Sequence, residues 1–462
     1  MRLRKRDLRA PVKGDLDITF SEERISAHAG LELFGCYVRS LDLGRRLRRA
    51  LGAHGLEGDY GIVGRVFALV ALTLIGGRRI SHLSFLSSDP VVLRFAGLRR
   101  LPTDRSLAQW LKRFGDRALL ALETLIRDLV QEQIERSALR RITIDLDGTV
   151  LRTGAKVEGA ARGFNPHHPK DCSYYPLTAH VAQLGQILRV WNRPGNVNDS
   201  HNAVGFLRGI FTDLRTRFGR SLSIETRLDG AFFLPVVLRF LNGEADVDWA
   251  MKVPLWKWLG LREKIAQRRR WTRVDPRIQG FSTVLRFEQP GWPSALRVVV
   301  YRKRVFHRTA RNFQLDLFSP DDGTYEYSAV ATNLELGVRR LWHFMAGRGA
   351  HEKTLADLKH HCAFDAIPTN DRHANSAWQM LSVLTLNLVR SFQIHLGAPR
   401  RPRTWKRTYA YEFQSLQTLR FELIDQPARL LRPHGRLQLR FAVAPAGRVR
   451  ITRALERLHA AA

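Results

Sequence analysis

Apolar positions recur at helical spacing through residues 31–51, 63–74 and 107–134, with Gly, Asp and Pro punctuating the intervals. Residues 1–138 are therefore expected to form a helical region. From residue 139 the period changes. The apolar run 141–146 predicts a buried strand ending in the turn Asp147-Gly148-Thr149. Two further runs, 177–184 and 186–191, flank Gly185 and predict a hairpin closed by Arg193-Pro194-Gly195-Asn196. A helix is expected over 203–218, then a strand over 222–227 that delivers Asp229-Gly230 into an apolar helix over 231–241. Strands over 246–253 and 295–306 interrupt this alternation. Strand character returns at 325–332, followed by helical stretches at 337–361 and 375–396. A helix near 411–423, a basic hairpin over 429–440 and a terminal helix complete the pattern, with no internal repeat and no low-complexity segment.

Composition changes the picture mainly through charge. The chain has 462 residues and 44% hydrophobic content, enough for two or three domains with a large core. Lys and Arg number 75 against 43 Asp and Glu, a formal charge of +32. Such an excess repels itself in a compact fold and argues for a polyanionic partner, nucleic acid ahead of membrane lipid. The basic residues are spread along most of the chain, which suggests a broad binding surface. Cys36, Cys172 and Cys362 are odd in number and far apart, which fits a reducing compartment, and none forms a zinc pair. The basic start, residues 1–13, has no apolar stretch behind it, so no signal peptide is expected. The most apolar stretches, 62–76 with Arg65 and 378–396 with Asn387 and Arg390, read as buried helices rather than membrane spans. A cytoplasmic protein is expected.

Candidate chemistry gathers at the ends of the predicted strands. Asp145 and Asp147 occupy alternate positions, and two acids on such a platform call for a cation, a proton or a phosphoryl group. The alternative is a turn whose carboxylates only bond the backbone. Asp229 is a second acid at a second strand end. Arg348, Glu352 and Lys359 share one helical face, since at about 100° per residue they fall within about 40° of one another. They suit a metal beside a phosphate, or else a surface ion-pair ladder. Arg268-Arg269-Arg270-Trp271, with Trp256, Trp258 and Trp292 nearby, interleaves bases with aromatics, as a surface that grips phosphates and stacks bases would, although such tryptophans also serve as core. Residues 106–114 carry Gln109, Lys112 and Arg113 behind a turn and a cap candidate. This is either a helix-turn-helix-like DNA reader or a small helical bundle with a basic face.

Taken together, Asp147, Asp229 and Glu352 resemble the acids of the DDE transposases of bacterial insertion sequences. The likeness is to the cut-and-paste group whose ribonuclease H-like catalytic domain carries a β-rich insertion. Asp147-Gly148-Thr149 matches that group's Asp-x-Thr, and Arg227, Asp229 and Phe232 match its Arg-x-Asp-x-x-Phe. Arg348, Glu352 and Lys359 fit its Tyr-Arg-Glu-Lys signature without a shift, whereas the Tyr position falls on Met345. Gly163-Phe164-Asn165-Pro166, Tyr175-Pro176-Leu177 and Arg193-Pro194-Gly195-Asn196 extend the likeness over roughly residues 140–395.

The resemblance implies an α/β protein. It would have a helical, DNA-binding region over 1–138, a ribonuclease H-like catalytic domain in two parts over 139–243 and 323–398, a β-rich insertion over 244–322, and a basic C-terminal region over 399–462. It implies two Mg²⁺ or Mn²⁺ ions about 4 Å apart held by Asp147, Asp229 and Glu352. Asp145 is either a further ligand or a support for Asp147. Arg348 and Lys359 would grip phosphates, joined in DNA binding by Arg268, Arg269, Arg270, Lys112 and Arg113. Trp271 and Trp292 are the base-stacking candidates. The implied partner is double-stranded DNA, at insertion-sequence ends and target, bound by a homodimer associated with the bacterial nucleoid and not with a membrane. Two other readings stay open. One is a haloacid-dehalogenase-like phosphatase with Asp145 as nucleophile, Asp147 as acid/base and Asp321-Asp322 as a late Mg²⁺ pair; the other is a transposase-derived DNA-binding protein that does not cut.

Overall fold

The computed structural model describes residues 18–154, 156–163, 170–305 and 325–460. The basic start, Phe164-Asn165-Pro166 and Asp321-Asp322 lie outside the described residues. Six helices come first: α1 (Leu31–Ser40), α2 (Leu43–Leu51), α3 (Gly61–Ile75), α4 (Pro90–Ala96), α5 (Asp104–Leu111) and α6 (Asp116–Arg136). Then follow β1 (Arg141–Gly148), β2 (Leu177–Val181), β3 (Gln186–Trp191), α7 (Ala203–Phe218), β4 (Ser223–Leu228), α8 (Pro235–Gly243) and β5 (Val247–Val253). Four more strands are β6 (Thr272–Arg273), β7 (Ile278–Arg286), β8 (Ala295–Arg304) and β9 (Tyr325–Thr332). Helices α9 (Val338–Ala346), α10 (Gly349–Cys362), α11 (Arg372–His395) and the terminal α12 (Pro445–Ala460) complete the frame.

These nine strands join one sheet in the order β6-β7-β8-β9-β5-β4-β1-β2-β3, and two three-stranded sheets are separate from it among the described residues. The pairs β1·β4 and β4·β5 are parallel, and the others are antiparallel. Parallel strands are covered on both faces, so their sequences need not alternate. That is why β1 reads as one apolar run, buried from Ile142 to Leu146. Because β1 and β4 run the same way, with Asp145 opposite Arg227, their carboxyl ends lie side by side. This places Asp147 and Asp229 at one end of the sheet.

Helix α11 joins the sheet to the N-terminal helices through a shared apolar core, with the stretch from Ala374 to Gln393 buried. The two polar residues that interrupt its sequence have tasks there. Asn387 Oδ1 accepts from the Ile187 backbone N–H at 2.9 Å and its Nδ2 donates to the Ile187 carbonyl at 2.8 Å, closing the free edge of β3. Arg390 pairs with Asp357 at 2.5 Å. Exchanging Asn387 for Leu strands two buried backbone groups, and denaturant unfolding is expected to show a loss of about 2–4 kcal/mol. Arg65 of α3 donates to the Leu56 carbonyl and stacks over Tyr60 and Trp110. Among the described residues no single helix is long and apolar enough to cross a membrane; only the pair Gly61–Ile75 and Ile80–Leu86, bent by 87°, has the length and composition.

The helix expected over 337–361 is instead two, α9 and α10, parted at Gly347-Arg348. A Cβ at Gly347 would run into the Lys406 carbonyl and Arg227 Nη1, so the chain needs glycine to pass there. The helix expected near 411–423 shrinks to Leu416–Leu419 with a wide turn over Arg420–Ile424. The stretch 107–134 is broken between α5 and α6, and 31–51 is broken at Asp42, whose φ is +54°.

Candidate active site

The parallel pair β1·β4 supplies the floor of the site. Within it Asp145 is fully buried, and Arg227 of β4 holds both of its oxygens, Nε to Oδ1 at 2.6 Å and Nη2 to Oδ2 at 2.8 Å. Burial alone would push this carboxyl up; the Arg227 guanidinium and His180 override it and hold Asp145 well below the usual carboxylate range. Both oxygens of Asp145 are thus engaged by Arg227, the arrangement of an acid that supports its neighbours. Arg227 Nη1 also donates to the carbonyls of Phe344, at 2.7 Å, and Lys406, at 2.8 Å. This ties β4 to the end of α9 and so fixes where α10 begins.

Arg348 stands at that beginning, as the residue capping α10. Its Nη1 donates to Asp229 Oδ2 at 2.7 Å and its Nη2 to the Leu146 carbonyl at 2.9 Å, while Nη2 lies 3.5 Å from Asp147 Oδ2. One buried guanidinium therefore spans the two acids. Asp229 Oδ1 accepts from the Gly230 backbone N–H at 2.5 Å and faces Lys252 Nζ at 3.6 Å. Burial raises the Asp229 carboxyl, but Arg348 and Lys252 outweigh it and the result lies below the usual value. Asp147 goes the other way. Burial, with Asp199, Asp229 and Glu352 adding negative charge, pushes it up to about 7 against the pull of Arg348.

Glu352 projects from α10 one turn beyond Arg348 and is exposed. It is near enough for its charge to reach Asp147. Lys359, half-buried, donates to the Val150 carbonyl at 3.4 Å, just past the Asp147 turn; burial lowers its ammonium, with Asp365 and Asp147 opposing. Among the described residues no three His, Cys, Asp or Glu side chains stand close enough to enclose a metal ion. The donor chemistry nonetheless fits one. The oxygens are hard donors, the acids gathered around Asp147 call for a cation, and Arg348 shows that a positive group is held between Asp147 and Asp229. Exposed Glu352 has rotamers free to join them.

Behind the acids lies a buried polar layer. His180 and His351 stack with centroids 4.9 Å apart. Thr178 Oγ1 donates to the Asp147 carbonyl at 3.1 Å and meets His351 Nε2 at 3.0 Å. Thr354 Oγ1 meets His180 Nε2 at 3.0 Å and Tyr409 Oη at 2.8 Å. Met345, at the Tyr position of the signature, is buried against Leu341 and Phe344.

The remaining candidates fall in different places. Trp292 stacks on Phe287 at 5.0 Å and leans on Phe233 at 5.3 Å, four residues beyond Asp229; Trp258, 46% exposed, meets it edge-on at 5.1 Å. Trp271 packs instead against Phe281 and under the Arg302 guanidinium at 4.2 Å. Arg268, Arg269 and Arg270 are exposed. At the end of α5, Lys112 is exposed, while Arg113 binds the Glu57 carbonyl at 3.1 Å and also the Gly55 carbonyl. Two neighbours of Asp147 were given no site role from the sequence: Asp199, and Tyr175 of the Tyr175-Pro176-Leu177 run, hydrogen-bonded to each other at 3.0 Å. Asp199 lies in a polar loop with no period, and its only signal was its place between the 193–196 turn and the helix start.

No curated protein matches the chain. Among solved structures, the cryo-EM structure of the piggyBac transposase synaptic complex with hairpin DNA covers 86% of this chain and 80% of its own, at 11% identity and a TM-score of 0.42. The sequence profile described as transposase DDE domain group 1 matches residues 11–462, nearly the whole chain. The protein thus belongs to the DDE transposases.

Proposed function

We propose that this transposase cleaves phosphodiester bonds at the ends of an insertion sequence and joins the freed 3′-hydroxyls to target DNA. Asp147, Asp229 and Glu352 would hold two Mg²⁺ or Mn²⁺ ions. The observation that carries the reading is the pair of acids at adjacent parallel strand ends, sharing one guanidinium. Bound there, divalent cations supply charge stabilisation to the attacking and leaving oxygens of an in-line displacement. The chain's own groups do the rest. Arg348 and Lys359 hold the phosphate oxygens beside the scissile bond, and Arg227 fixes Arg348 by anchoring the end of α9. The strand order β3-β2-β1-β4-β5 supports a ribonuclease H-like core, with β6 to β9 extending its far edge.

The division proposed from the sequence is carried over. Residues 1–138 and 399–462 serve DNA, 139–243 and 323–398 form the catalytic core, and 244–322 is the insertion. Exposed Arg268, Arg269, Arg270 and Lys112 suit backbone phosphates, and a charge of +32 suits long DNA ends bound by a dimer. Trp292, in the cluster beyond Asp229, suits stacking on a base better than Trp271, which Arg302 covers.

The test is cleavage of DNA carrying the element's ends, with Mg²⁺ or Mn²⁺, by wild type and Glu352→Gln. Nicking is expected in the wild type and lost in the variant. Equal nicking by both would reject the role of Glu352. Turnover of a small phosphate ester with DNA left intact would reject the reading as a whole.

A further inference from the structure

Asp199 lies in the loop between β3 and α7 and is only 8% exposed. Its Oδ2 accepts from Tyr175 Oη at 3.0 Å. Its Oδ1 is buried and accepts no hydrogen bond. Arg193 Nη2, which also makes no hydrogen bond, stands 3.9 Å from that oxygen in a loose ion pair, while the rest of this guanidinium is occupied by the carbonyls of Tyr175, Asn198, Asp199 and His201. Acids with structural tasks in this protein look different. Asp145 has both oxygens on Arg227, and Asp89 Oδ1 caps α4 by accepting from the Val91 and Val92 backbone N–H groups. A buried carboxylate oxygen with a cation nearby but no hydrogen bond is under-satisfied, and in a native fold it calls for an explanation.

The direction of that oxygen supplies one. A Cβ built on Gly148 would collide with Asp199 Oδ1 and with the Tyr175 ring, so the free oxygen sits directly on the backbone that follows Asp147. Its charge is felt by Asp147, and Asp229 and Arg348 act in turn on Asp199. We propose that Asp199 is a fourth carboxylate of the divalent-cation site, held by Tyr175 through Oδ2 so that Oδ1 faces the cation or a water bound to it. This rests on the reading of Asp147, Asp229 and Glu352 as cation ligands. Gly148 is then required because a side chain there would displace the fourth acid.

The test is Mn²⁺ binding to the full chain, followed by electron paramagnetic resonance, together with the thermal midpoint measured without metal. Asp199→Asn is expected to weaken Mn²⁺ binding roughly tenfold, with Tyr175→Phe weakening it less. Asp147→Asn is expected to weaken it more, and Asp116→Asn, an exposed acid of α6, not at all. The Asp199→Asn midpoint should stay level or rise, because a poorly compensated buried charge has gone. Tyr175→Phe keeps the carboxylate and provides the affinity readout should the Asn variant fold poorly. Wild-type Mn²⁺ affinity in the Asp199 and Tyr175 variants beside a loss in Asp147→Asn overturns the role of Asp199 alone. Wild-type affinity in Asp147→Asn as well overturns the cation site itself and this role with it. A lowered midpoint with unchanged affinity marks Asp199 as merely structural and also overturns the proposal.

Discussion

Asp147→Asn is expected to lower DNA cleavage by a factor of roughly a thousand or more, while the variant folds at least as well as the wild type. The two halves have one cause. Asn keeps the shape of the side chain and loses the charge that a divalent cation needs. In the free protein that charge is a burden, since burial and three neighbouring acids push the carboxyl up to about 7. A folded value raised above the unfolded one means that the folded chain holds the proton more tightly. The ionised form therefore costs stability, and the cost grows as pH rises from the unfolded value of about 4 towards 7. Thermal melts without metal should show the wild type losing stability over that window more than Asp147→Asn does. A gel assay of end cleavage checks the other half. A variant that still cuts at the wild-type rate, or that melts many degrees lower, would contradict the assignment.

The second large effect is on the fold. Arg227→Met leaves Asp145 buried and unpaired and frees the Phe344 and Lys406 carbonyls, so a loss of about 3–5 kcal/mol is expected in denaturant unfolding. Adding Asp145→Leu to it should restore much of that stability, since an apolar pair needs no counter-charge. The pH dependence has the opposite sign to that of Asp147. Asp145 is held below its ordinary value in the fold, so its contribution is present above the unfolded value of about 4 and disappears only as pH falls towards the folded one. Mild acid should leave the pair intact. No recovery in the double variant would show that the carbonyl contacts of Arg227, rather than its charge, matter most.

What the sequence made legible was local. The boundaries of α7 and the hairpin of β2 and β3 follow from period and turn chemistry, and Asp147 and Asp229 are found at strand ends as expected. Arg348, Glu352 and Lys359 are regularly spaced in the chain but stand in different surroundings. Arg348 faces inward onto the acids, Glu352 faces out, and Lys359 reaches a backbone carbonyl. Helical spacing fixes a face and is silent on which neighbour covers each part of it. Asp145 and Asp147 look equivalent along the strand; only the register that sets Asp145 opposite Arg227 separates them. The break at Gly347 was invisible because its cause, Lys406, comes 59 residues later in the chain. Asp199 was invisible because nothing periodic marks a loop acid.

The segment that crosses over Gly347 also sets how this protein can be cut into pieces. Lys406 gives Arg227 one of its two carbonyl acceptors, Arg407 pairs with buried Glu225, Tyr409 bonds Thr354, and the Ala410 backbone N–H reaches the Gln183 carbonyl at 2.8 Å. A fragment ending at residue 398 would remove all four at once, from β4, from α10 and from the turn after β2. The portable unit for fusion, truncation or chimera building therefore has to run past Tyr411, and a swap of C-terminal regions between related chains exchanges the groups that brace β4 and α10 along with them.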